Sequence, residues 1–235
     1  EGGKLKAESV VPLFKLGEED QLPNLGFATR MIEFDLTHAQ LANFELPTSN
    51  IQLSDTIISA RVAYGEPETL LKLYDQGVRV FHLVADLHGH SADGRFVLEL
   101  IREAHLAFVE AGRRDEVTLI GSGGIIAAEH VPKAVISGLD AVALDTPLLV
   151  ALQAQFEGEC ADRENSQFRM PVGLPVAWGK QRIKNLTGTW RDQLLEIMGA
   201  MGIREVRRLR GEIGRAMFQV DLECEAFAGI EGFSG

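Results

Sequence analysis

Val117-Thr118-Leu119-Ile120-Gly121-Ser122-Gly123-Gly124-Ile125 is a short, β-branched apolar run that ends abruptly in three glycines and a serine. Further on, Leu139-Asp140-Ala141-Val142-Ala143-Leu144-Asp145-Thr146-Pro147 repeats the scheme: a buried strand, then a turn with a capping residue and a proline at the first helical position. A short helix closed by Gly138 is predicted between them. Two consecutive β-to-α units with strand ends trimmed to bare backbone are how a (β/α)8 barrel builds a phosphate site. Its last two loops offer amide N–H groups, and a helix N-terminus adds the positive end of its dipole.

Working outward, the same rhythm recurs. Thr56–Ala63 reads as a strand, and Pro67 opens a helix with Leu70, Leu73 and Tyr74 inward and Gly77 at its end. Val78–Asp86 is the next strand. A long helix follows, with Val97, Ile101, Ala104 and Phe108 on one stripe and Gly112 as its stop. Strictly alternating strands and helices demand a parallel sheet with helical crossovers. The fold class is therefore α/β, a TIM-type (β/α)8 barrel that is incomplete: four legible units make half of it. The remaining strands must come from residues 1–54, or from sequence outside this chain. Within 1–54, Ala28–Leu36 reads as one strand amid the turn formers Pro23, Gly26, Pro47, Ser49 and Asn50. Residues 1–156 are the barrel portion, with 1–54 irregular. Residues 157–235 form an irregular segment and a helical C-terminal extension, irregular and polar over 157–182. The extension then holds a helix with Leu194, Ile197, Met198 and Met201 inward, capped by Gly202, and a short basic helix around Val206 and Leu209.

Composition narrows the function classes. No apolar run approaches the length of a membrane span, and the polar first twenty residues do not read as a signal peptide. Two cysteines, Cys160 and Cys224, make no disulfide framework, which suits a reducing cytoplasm. A formal net charge of −11 argues against a nucleic-acid partner, because phosphate backbones are bound by clustered Lys and Arg.

The stretches Gly121–Ile125, Val131-Pro132-Lys133-Ala134, Gly138–Val142 and Asp145-Thr146-Pro147-Leu148-Leu149 resemble the FMN-binding barrel domain of the glutamate synthase family. Met170-Pro171-Val172-Gly173 is similar to that family's Cys-Pro-Val-Gly segment, and Ile203–Gly211 to the helix that ends the domain. The resemblance covers about residues 55 to 211 and implies an FMN-dependent oxidoreductase of glutamate-forming chemistry. Such a domain passes a hydride from reduced flavin to a small substrate, 2-iminoglutarate in the parent reaction. It also implies that the flavin phosphate rests on Ser122, Gly123, Gly124 and Thr146. The physics of the residues agrees: glycines let backbone approach a phosphate closely, and Thr146 is placed to cap the next helix.

Two positions depart from the family. Asp145 stands where a glycine is usual, so a carboxylate joins the cofactor-binding set. Either it turns away into a salt bridge or the flavin is gone. Where the family has three cysteines, this chain has Cys160, Ser166 and Met170. Thiolate ligation needs Cys, so no iron–sulfur cluster is expected on this domain. An electron-donor domain or subunit would then supply the reducing equivalents.

Other constellations stay open. Asp86, His88 and His90 crowd a strand end, where barrel enzymes place their sites; Asp86 and His88 are candidate catalytic residues. The same group is also compatible with a zinc-type metal hydrolase, or with a plain loop in which Asp93 caps the following helix. Arg61 is a candidate for a substrate carboxylate if it faces the barrel interior, and otherwise pairs outward with a helix. Lys133 could reach a phosphate or be solvated, and Arg204, Arg207, Arg208 and Arg210 read as a solvated helix face or a subunit contact. The alternative to the flavoenzyme is a flavin-free barrel scaffold or assembly subunit of a larger oxidoreductase complex.

Overall fold

Six strands run parallel in chain order in the computed structural model, which describes residues 11–15, 30–37, 56–157 and 167–212. They are β1 (Leu13–Lys15), β2 (Met31–Asp35), β3 (Ile57–Ala63), β4 (Val80–Val84), β5 (Thr118–Ser122) and β6 (Ala141–Val142). Helices α1 (Pro67–Asp75), α2 (Val97–Glu110) and α3 (His130–Ser137) connect the last four of these. Sequential parallel pairing with helical crossovers makes an arc of a (β/α)8 barrel, with β1 and β6 as its edges. Two strands thus come from the irregular N-terminal region: the strand read within Ala28–Leu36, and a three-residue one at Leu13.

Strand side chains alternate between two faces. Ile32, Phe34, Ala60, Val62, Phe81, Leu83 and Leu119 join one core with Leu70 and Leu73 of α1 and Leu100, Ile101, Ala104 and Phe108 of α2. Phe81 and Phe108 meet at 5.2 Å between ring centroids. Such an aromatic pair is worth about 0.5–1.5 kcal/mol beyond its buried area. The opposite face, the barrel interior, carries Glu33, Asp35, Ser59, Arg61, His82 and Ser122, aligned through the registers Glu33↔Ser59, Asp35↔Arg61, Arg61↔His82 and Val84↔Ser122.

The second motif strand is shorter than its sequence suggests. Its ladder ends with the Ala143 amide on the Gly121 carbonyl at 2.8 Å, so β5 and β6 finish side by side. Helix α4 (Thr146–Ala151) follows. Part of the span read as irregular is ordered. Strands β7 (Gln155–Glu157) and β8 (Gln167–Arg169) form an antiparallel hairpin, and α5 runs from Val176 to Ala200. Its early start escapes the apolar pattern because only Met198 of this helix is buried.

The extension docks on the barrel through Val135 and Ile136 of α3, which pack with Met198, Ile203 and Leu209. Beside this cluster Asp140 joins three elements. Its carboxylate accepts the Leu119 amide at 2.8 Å, Arg114 at 2.7 Å and Arg210 at 2.6 Å, while Arg210 also meets Asp115 at 2.7 Å. Arg210 is therefore an anchor rather than part of a solvated basic face. Arg114 is 6% exposed and donates further to the carbonyls of Val117 and Gly138 and to His105 Nδ1. Burial chiefly, and then the charges of Arg114 and Arg210, hold the His105 imidazole below its ordinary pKa.

Candidate functional site at the strand ends

Gly123 and Gly124 take φ of +96° and +67°, in the left-handed region open mainly to glycine. Their missing side chains also have a packing cause. A Cβ at Gly123 would lie 2.5 Å from the carbonyl oxygens of Ala85 and Asp86, and one at Gly124 would lie 2.6 Å from the Cα of Gly89. The loop after β4 thus rests directly on the glycine corner. That loop is shaped by Asp86, whose Oδ1 accepts the amides of His88 at 2.9 Å and His90 at 2.7 Å. The Asp86 carboxylate builds this turn, and His88 stands exposed at its crest. Among the described residues no three His, Cys, Asp or Glu side chains gather as metal ligands, so nothing there supports the metal-hydrolase reading.

Asp93 does not cap the following helix. It pairs with Ser91 inside the loop, and a bridge between His90 and Phe96 delays the helix until Val97, with Phe96 at the N-cap.

Across β6, the cap of α4 is Asp145 rather than Thr146. The Asp145 Oδ1 accepts the Thr146 amide at 2.6 Å and its hydroxyl at 3.3 Å, and Thr146 begins the helix. One oxygen of the carboxylate thus sits on the first amide of α4. Thr146 shares a cavity wall with Ile126, from beyond the glycines, and with Arg182 of α5.

Inside the arc lies a network that sequence reasoning did not assemble. His82 Nε2 is 3.0 Å from Ser122 Oγ, and His82 Nδ1 is 3.2 Å from Glu33 Oε1. The other Glu33 oxygen accepts the Ser59 hydroxyl at 3.0 Å. Four adjacent strands thus contribute one polar side chain each. Burial alone would raise the Glu33 pKa. The hydrogen bond and charge of His82, the Ser59 hydroxyl and the Arg61 charge outweigh it and hold the carboxyl below its usual range. Arg61 faces the interior as well, donating to Asp35 Oδ2 at 2.8 Å, while Thr37 occupies Asp35 Oδ1. The sequence signal was present in Met31-Ile32-Glu33-Phe34-Asp35. Its charged residues alternate with apolar ones in a parallel strand, where both faces are ordinarily apolar.

Lys133 is exposed on α3 near the back of the glycine corner. Cys160, Ser166, Cys224 and His38 lie outside the described residues, and Met170 is exposed after β8. No helix among the described residues is long and apolar enough to cross a membrane.

One family model and several curated proteins match part of this chain. The family model described as "Conserved region in glutamate synthase" matches residues 92–204, from the loop before α2 to just past the end of α5. The archaeal glutamate synthase [NADPH] of Methanocaldococcus jannaschii is 33% identical over 112 residues, 45% of this chain and 22% of that protein. The archaeal-type glutamate synthase [NADPH] of Thermotoga neapolitana is 34% identical over 108 residues, 43% of this chain and 21% of that protein. The aligned part thus amounts to about a fifth of the length of these relatives. Among solved structures, a mandelate oxidase superposes with a TM-score of 0.53 at 17% identity, over 86% of this chain and 63% of the other. A flavocytochrome b2 variant with pyruvate bound superposes at 0.52 and 16% identity, over 92% and 56%. These two likenesses show the barrel fold. Residues 92–204 match the conserved region of glutamate synthase, and a part of the chain is similar to the archaeal glutamate synthases.

Proposed function

We propose that this chain forms the flavin- and substrate-binding barrel of a glutamate synthase-like oxidoreductase, with FMN as the flavin. The observation that carries the reading is the pair of adjacent strand ends, Ser122-Gly123-Gly124 and Asp145-Thr146, at the C-terminal rim of a parallel barrel arc whose interior is charged. The missing Cβ atoms of Gly123 and Gly124 make room for the loop after β4, so a phosphate at this corner would be met by main chain at the rim and not in the space the glycines leave. Asp145 is the residue that opposes one. A carboxylate about 5 Å from a phosphate charge costs roughly 3 kcal/mol at an effective dielectric of 20, about two decades of affinity.

Bound flavin would supply hydride transfer to a 2-imino acid. The chain's own residues supply the rest. Arg61, with Asp35 on one nitrogen, has further N–H groups to orient a substrate carboxylate. With Nδ1–H toward Glu33, His82 accepts the Ser122 hydroxyl at Nε2, so Ser122 Oγ is held in one orientation at the interior end of β5. Asp86 positions the loop that covers the glycine corner and presents His88 at the rim. With Met170 in place of a ligand cysteine, electrons reach the barrel from a separate domain or subunit, in a reducing compartment.

Asp145 also favours a second reading, an inherited barrel that serves as a flavin-free scaffold. Titrating the purified chain into FMN while following flavin fluorescence separates the two. The flavoenzyme predicts binding by the wild-type chain and about 100-fold tighter binding by Asp145→Gly. Absence of binding by the wild-type chain, whether or not Asp145→Gly binds, removes the flavoenzyme and leaves the scaffold.

A further inference from the structure

Behind the glycine corner, on the helix side of β5, lies a cavity of about 170 Å3. Val97 and Ile101 of α2, Ile125, and Ala134 and Leu139 around α3 form apolar, buried walls. Tyr64, just past the end of β3, reaches the same cavity. Its hydroxyl is fully buried and has no hydrogen-bond partner among the described residues. Burial pushes the phenol pKa well above its ordinary value, so the group stays protonated. Buried polar side chains are satisfied in the large majority of cases, so an orphan donor facing a cavity points to an occupant.

Gly121 makes room for the side chains that line the cavity on this side. A Cβ at Gly121 would lie 3.0 Å from the Tyr64 hydroxyl oxygen and 2.4 Å from Leu139 Cδ1. The walls are mainly hydrocarbon, with Ser122, His130 and Lys133 as the polar side chains besides Tyr64, and a lone water holds firmly only with two to four polar partners. An apolar cavity of about 150 Å3 is known to accept one benzene-sized ring.

We infer that this cavity is a binding site for a small single-ring aromatic molecule whose one polar atom hydrogen-bonds the Tyr64 hydroxyl. The inference does not rest on the flavin reading, although Ser122, Gly123 and Gly124 border both sites. The cavity lies across β5 from the Ser122–His82–Glu33 chain, and an occupant would touch the back of the same glycines.

The test compares phenol with toluene, which matches it in size and lacks the hydroxyl, using ligand-observed saturation-transfer NMR on the full chain. Phenol is expected to bind at least about fivefold more tightly than toluene, and Tyr64→Phe to bring the two within about twofold of one another. Ala134→Leu, which fills the cavity from its α3 wall, is expected to abolish binding of both. The inference is overturned if wild type binds phenol and toluene equally, or binds neither in the millimolar range. It is equally overturned if folded Tyr64→Phe keeps the preference for phenol, or if folded Ala134→Leu binds as wild type does.

Discussion

Single residues decide what the strand-end corner accepts. Gly123 is fixed by two independent constraints, a left-handed φ and carbonyl oxygens of the neighbouring loop at van der Waals overlap with any Cβ. Gly123→Ala should therefore lower stability by about 2 kcal/mol or more, read as a lower urea midpoint, because the loop after β4 must lift away. A loss under about 0.5 kcal/mol would mean that the loop does not rest on the glycine. Glu33 acts by charge. Its carboxyl is held below the ordinary value of 4.5, so the native state binds fewer protons than the unfolded chain in that range. The stability this gives is complete above pH 4.5 and is lost as the pH falls through the native pKa. Glu33→Gln keeps a hydrogen-bonding group without the titration, so its denaturation midpoint should fall less steeply in acid than that of wild type. Parallel acid profiles would show that Glu33 is not coupled to His82.

Elements bring these residues together through contacts that sequence period alone does not specify. The stripes of α1 and α2 were legible because their cores follow the helical repeat, and Leu70, Leu73, Val97, Ile101, Ala104 and Phe108 are all buried. The early half of α5 was not legible, since a helix that buries so little shows no stripe; its start is set instead by Pro175 at the N-cap. The capping role passed to Asp145 for a similar reason. A short acidic side chain one residue earlier reaches the free amide of Thr146, and nothing in the spacing ranks it below the threonine. The joint of α2, β5, β6 and the extension rests on His105, Arg114, Asp140 and Arg210. Because the native imidazole is held below 6.5, the unfolded chain takes up a proton that the native joint refuses as the pH drops below that value. Stability should therefore decline from neutrality toward pH 5.5, ahead of the carboxylate transition. His105→Asn, which offers an acceptor to Arg114 without titrating, should flatten that first decline in thermal melts. An unchanged profile would mean that His105 titrates alike in both states.

At the scale of the whole molecule, the β/α rhythm of residues 56–151 set the architecture, and the two N-terminal strands were hard to see for a physical reason. In a barrel, a strand is specified by the sheet it joins; β1 is three residues long and only Phe14 of it is buried. The interior network was dispersed for the same reason, with Glu33 and Ser122 separated by most of the described barrel in sequence and brought together only by register. The Ser122 and Gly124 positions stood out early because bare backbone after an apolar run is a local signal, whereas a lumen of charges is a collective one.

That lumen restricts how the ring can be finished. Glu33, Asp35, Arg61 and His82 are only partly shielded from solvent, two carboxylates against one guanidinium and one imidazole across three strands. An oily surface closing the gap between the two edges would strip water from an acid-rich set with too few cations to neutralise it. Whatever spans β1 and β6 must therefore be hydrophilic on its inward side, or bring a positively charged group of its own.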